Sequence, residues 1–82
     1  AIRFSFSRSI EEELPLAKSL VKEIVRRGGR YSLKLTGCNV FVQADDDASV
    51  RTDAARRMYD EGKIAEFMTL SELQGRLFAE EE

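Results

Sequence analysis

The stretch GGRYSLKLTGCNVFVQ, residues 28–43, constrains the fold more than any other part of the chain. A glycine pair suited to ending a helix is followed by two strand-like runs in succession. Tyr31, Leu33 and Leu35 alternate with polar residues, the period-2 pattern of a half-buried strand. Thr36-Gly37-Cys38-Asn39 reads as a turn, and Val40-Phe41-Val42 is continuously apolar, as strands covered on both faces are. Elsewhere strands alternate with helices, so any architecture must accommodate this direct step from one strand to the next.

The flanking segments supply the rest of the pattern. Ile2, Phe4 and Phe6 alternate with Arg3, Ser5 and Ser7, predicting a first strand. Leu14, Ala17, Leu20, Val21, Ile24 and Val25 recur at spacings of three and four and predict an amphipathic helix. Pro15 suits its first turn, where a missing N–H costs nothing; Ser9 with Glu12 offers a rival start through a capping box. Gly28-Gly29 ends this helix. A second helix is expected from roughly Thr52 to Glu61, with a thin apolar face of Ala54, Ala55, Met58 and Tyr59, closed by Gly62. Ile64 to Met68 reads as a fourth strand. Thr69 and Glu72 then form a capping box for a last helix with Leu70, Leu73, Leu77 and Phe78 inward. The order β-α-β-β-α-β-α predicts an α/β fold with a four-stranded, mainly parallel sheet and helices on both faces.

Composition bounds the function. Eighty-two residues hold one domain with one modest core, expected over residues 1–79 and followed by an acidic tail, Glu80 to Glu82. Thirteen basic and fifteen acidic residues give a net charge of -2, which argues against a bulk nucleic-acid coat but leaves room for a local basic patch. No apolar run approaches the roughly 18 residues of a membrane span. The single Cys38 forbids an internal disulfide and leads to the expectation of a reducing, intracellular setting. The opening residue, Ala1 in place of Met, leads to the expectation of a module from a longer protein.

The element order, with the double glycine before the second strand, resembles a BRCT domain, the small module common in DNA repair, replication and checkpoint proteins. The resemblance runs from about Ile2 to Leu77. "GGRYSLKLTGCNVFVQADD" is similar to the bacterial NAD-dependent DNA ligase branch of the family, and "TDAARRM" with "KIAEFMTLSEL" resembles its second helix, fourth strand and third helix. The resemblance implies four parallel strands with the first lying between the second and third. It also implies that the first and third helices cover one face and the second helix the other. The chain departs in having no Trp in its last helix, where Leu73 is the nearest equivalent.

The resemblance implies a non-enzymatic binding module of a larger DNA-transaction protein. Its partner would be a protein, phosphorylated or not, or a DNA end, with no cofactor, metal, membrane or small-molecule substrate. The setting would be cytoplasmic in a bacterium and nuclear in a eukaryote. It further implies a phosphate pocket built from a hydroxyl after the first strand, a glycine N–H and a lysine at the second helix. The hydroxyl falls on Ser7 or Ser9, the glycine is replaced by Arg8, and Arg51 is the nearest base to the missing lysine, with Ala54 at another equivalent position. Thr36 and Gly37 complete the candidate set. A hydroxyl, an amide and an arginine fork around one phosphate are chemically sound.

Other residues admit chemistry of their own. Cys38 could be a thiol nucleophile, but the chain has no His to activate it, and a buried filler is the alternative. Asp45, Asp46 and Asp47 could hold Mg²⁺ as in phosphoacceptor folds, or cap the helix that follows. Arg26, Arg27 and Arg30, with Arg56 and Arg57, could contact a DNA backbone, or complement helix dipoles. Met58, Tyr59 and Phe78 are candidates for an exposed docking surface. A structural oligomerisation domain is the remaining alternative.

Overall fold

The structure, a computed structural model, describes residues 2–45 and 49–78, and of Phe78 only the backbone. Its elements are β1 (Arg3–Phe6), α1 (Arg8–Glu12), α2 (Leu14–Arg26), β2 (Arg30–Tyr31), β3 (Val40–Gln43), α3 (Val50–Asp60), β4 (Glu66–Thr69) and α4 (Leu70–Phe78). The strands form one sheet in the order β2-β1-β3-β4, with every neighbouring pair parallel. The architecture is the four-stranded parallel α/β fold that the pattern predicts. β1 lies between β2 and β3, so the direct step from β2 to β3 crosses the end of β1 and is not a hairpin.

Register divides the side chains between two layers. Phe4 and Phe6 stand beside Val40 and Val42, and Met68 follows beside Val42. With Ile10 of α1, Leu20 and Ile24 of α2, and Leu73 and Leu77 of α4, they form the larger core. Ser5, Phe41 and Phe67 are neighbours on the opposite face, where Phe41, Ala55, Ile64 and Cys38 are buried beneath α3. Among the described residues no helix is long and apolar enough to cross a membrane.

The predicted first helix is α2, with Pro15 in its first turn as expected, and a separate short helix, α1, precedes it. Continuing α1 through Pro15 would lose the bond from residue 15 to the Glu11 carbonyl and drive the proline ring into it. The chain breaks at Glu13 and restarts with Pro15 in the first turn of α2. Ser7 precedes α1, and the Ser9 hydroxyl meets the Ser7 hydroxyl at 3.3 Å instead of closing a box with Glu12.

The glycine pair ends α2 by two separate effects. Gly28 has φ 93°, and its N–H reaches the Val25 carbonyl while the Gly29 N–H reaches Ile24, the paired bonds of a Schellman motif. At Gly29 a Cβ would lie 2.8 Å from the Ile24 side chain and 3.2 Å from its carbonyl oxygen, so only glycine fits. The capping box of α4 forms as the sequence indicates: the Glu72 N–H donates to Thr69 Oγ1 and the Thr69 N–H to Glu72 Oε1. Helix α3 begins two residues before the predicted Thr52, because Ser49 accepts from the Thr52 N–H at 3.2 Å.

Two strands are shorter than their patterns. Ile64 is buried against the α3 layer before β4 starts at Glu66. β2 ends at Tyr31, where the Lys34 N–H turns back onto Ser32 Oγ and leaves Leu33 two-thirds exposed.

Candidate functional site

The early end of β2 creates the most distinctive polar arrangement in the molecule. In the ladder between β2 and β1, the Arg30 N–H donates to the Ile2 carbonyl and the Ser32 N–H to Phe4. The next rung would bring the Lys34 N–H to Phe6, but that N–H is already bound to Ser32. Arg51, in the first turn of α3, takes its place. Its Nε donates to the Phe6 carbonyl at 2.9 Å, and its Nη2 to the Leu33 carbonyl at 2.7 Å and to Ser5 Oγ at 2.8 Å. The same Nη2 lies 3.4 Å from the Glu11 carboxylate, which also accepts from the Tyr31 hydroxyl at 2.7 Å. One guanidinium therefore joins α3, β1, α1 and the chain leaving β2. A planar fork with several donors suits this task where an ammonium does not. Burial, and secondarily the bond to Glu11, pushes the Tyr31 hydroxyl well above its ordinary value.

The six phosphate candidates do not converge. Ser7, Arg8, Ser9 and Arg51 lie at the carboxyl end of the strands. Thr36 and Gly37 lie at the amino end, where Gly37 approaches the Arg3 side chain and Asn39 bonds the Arg3 backbone. Ser7 is fully buried and its Oγ accepts the Ala44 N–H at 3.2 Å. Arg51 is engaged by the network just described. Arg8 and Ser9 remain exposed, and Arg8 has no polar partner among the described residues.

The basic candidates are divided as well. Arg26 and Arg27 both bind Glu23, and Arg27 also donates to the Leu77 carbonyl, tying the end of α2 to the end of α4. These two arginines hold the Glu23 carboxyl down to about 2. Arg30 donates to the Gly29 carbonyl. Arg56 lies over the Phe67 ring, 4.3 Å from its centre, and Arg57 is exposed on α3. The α2 and α3 arginines thus belong to opposite layers and do not form one stripe.

Cys38 is buried, and its Sγ donates to the Val40 carbonyl at 3.1 Å. Burial pushes the thiol up from its ordinary value, the direction opposite to that of an activated nucleophile. Asp45 accepts from the Ser71 hydroxyl at 2.6 Å and so sits against the first turn of α4. Asp46 and Asp47 lie outside the described residues, as do the Glu80 to Glu82 tail and the Phe78 side chain. Among the described residues no group of acids, cysteines or histidines could hold a metal ion.

Of the residues expected to be exposed, Tyr59 is, Met58 is not, and most of the exposed apolar surface lies elsewhere. Met58 packs into the α3 layer, and Tyr59, partly exposed, rests against Phe67 at 6.0 Å. Leu14 and Leu33, expected inward, are instead 59% and 66% exposed, on either side of a groove between α2 and the β2 edge. The groove has a volume of about 440 Å³. The sequence carries no signal of it, because Leu33 falls within the alternating pattern of a strand.

Comparison of the chain with family models, with curated proteins and with solved structures returned no match.

Proposed function

We propose that this chain is a non-enzymatic, BRCT-type binding module of a larger DNA-repair or replication protein, and that it acts by docking a protein partner. The observation that carries the reading is the parallel order β2-β1-β3-β4 with its direct β2-to-β3 crossing, the arrangement that the BRCT resemblance implies. The division of helices supports it: α2 and α4 lie against one face and α3 against the other. Docking is favoured over phosphate reading because the Ser7 hydroxyl and the Arg51 guanidinium are already bonded within the fold. A second reading, contact with a phosphorylated DNA end, rests on Arg8 and Ser9, the candidates at the carboxyl end of the strands that stay exposed.

An amide chemical-shift titration with a recessed duplex bearing a 5′-phosphate, beside its dephosphorylated twin, separates the two. The docking reading expects equal, small shifts from both duplexes. Phosphate-dependent shifts at Arg8 and Ser9 would transfer the assignment to DNA ends. Native alkylation of Cys38 at neutral pH tests the absence of thiol chemistry: reaction as slow as local opening is expected, and fast reaction would sink the binding-module reading.

A further inference from the structure

The groove between α2 and the β2 edge has the form of a binding surface and a charge that selects its occupant. Ala17 and Val21 of α2 and the ring of Tyr31 are half-buried and form its floor. Leu14 and Leu33 rise at either lip, more than half exposed. Leu14, Ala17 and Val21 follow at spacings of three and four, so they form an apolar stripe beside the one that Leu20 and Ile24 bury in the core. A stripe of this kind left uncovered marks a contact surface when charged residues rim it.

Lys18 and Lys22 provide that rim. Four residues apart on one helix, they repel each other, and neither has a hydrogen bond or ion pair among the described residues. The one carboxylate lining the groove, Glu11, is already held by the Tyr31 hydroxyl and Arg51. The uncompensated charge of the groove is therefore positive.

We infer that this groove docks an amphipathic helix of a partner protein, one whose apolar ridge is flanked by acidic residues. The apolar ridge would lie between Leu14 and Leu33, and the acids would pair with Lys18 and Lys22. Helix-in-groove recognition uses anchors at the same three- and four-residue spacing that α2 presents. The inference rests on the binding-module reading and names the surface that such a module would use.

Two synthetic helical peptides of about 16 residues, roughly 24 Å long, serve as probes. Both carry the same leucine ridge, one flanked by glutamates and one by lysines. Amide shifts are expected at Leu14, Lys18, Val21 and Leu33, with the glutamate peptide bound about fivefold more tightly, as two exposed ion pairs would give. The double variant Lys18→Glu, Lys22→Glu should reverse the preference, and Leu33→Ser should weaken both peptides. All three side chains are exposed, and unchanged amide dispersion would verify the fold. Equal affinity for the two peptides, or shifts centred elsewhere, would overturn the assignment. Concentration-dependent shifts of the same amides without peptide would overturn it in favour of a second copy of the chain. None of these failures touches Cys38 reactivity, so the groove can fail while the binding-module reading stands.

Discussion

On the face of the sheet beneath α1, α2 and α4, large apolar side chains interlock: Phe6, Leu20, Ile24, Val42 and Leu73 are all essentially inaccessible. On the face beneath α3 the buried set is smaller, with Phe41 and Ile64 beside Ala55 and Cys38. There Arg51 adds directed hydrogen bonds to carbonyls that a two-residue β2 leaves open. One face is closed mainly by area removed from water, which is tolerant of detail. The other depends on a few polar contacts whose loss strands their partners, and an orphaned buried acceptor costs more than the bond contributes.

The largest effect is expected from Phe6→Ala. It removes a fully buried ring that also meets Tyr31 at 4.8 Å, and should cost about 3–5 kcal/mol in denaturant unfolding. Next is Arg51→Ala, which strands the Phe6 carbonyl and Ser5 Oγ, the Leu33 carbonyl being open to water, and should cost about 1–3 kcal/mol. Arg51→Lys should recover little of the loss, because a lysine cannot span the same fork. Wild-type stability in the lysine variant would break the contrast between the faces.

Gly29→Ala should cost about 1–3 kcal/mol through its clash with Ile24, on the face where packing dominates. Thr69→Ala should cost about 1 kcal/mol, because it removes one half of the α4 capping box. The smallest effect concerns Glu23. Its carboxyl is held at about 2 in the folded chain against an ordinary 4.5. A depressed carboxyl stabilises the fold above its unfolded value, and that contribution drains away as pH falls from about 4.5 to 2. Its pairs with Arg26 and Arg27 lie at the surface, where water screens them, so the pH dependence of unfolding in this window should shrink only slightly in Glu23→Gln.

The apolar face was largely legible in the sequence, because its signals are periodic or local. Ile24, Leu73 and Leu77 fall at helical spacing, and the Thr69–Glu72 box needs only three residues of context. The polar face was not. Arg51 meets its partners across separations of 18 to 46 residues, and no local pattern marks an arginine as the substitute for a missing strand rung. Leu14 and Leu33 were misread for a related reason. Periodicity tells which side of an element is apolar, but not whether another element covers it. Thr36 and Gly37 are too distant in sequence from Ser7 for any local pattern to place them, and the parallel sheet sets them at its opposite end.

Arg51 is bonded into the fold through its Nε and Nη2 atoms, which leaves it committed to the structure before any phosphate arrives. The most direct measurement follows the Arg51 Nε–Hε resonance in the intact chain, alone and with the 5′-phosphorylated duplex. A bonded Nε should exchange slowly with water and keep its shift whether or not the duplex carries phosphate. Fast exchange in the free chain, or a shift that the phosphorylated duplex induces and its dephosphorylated twin does not, would contradict the account.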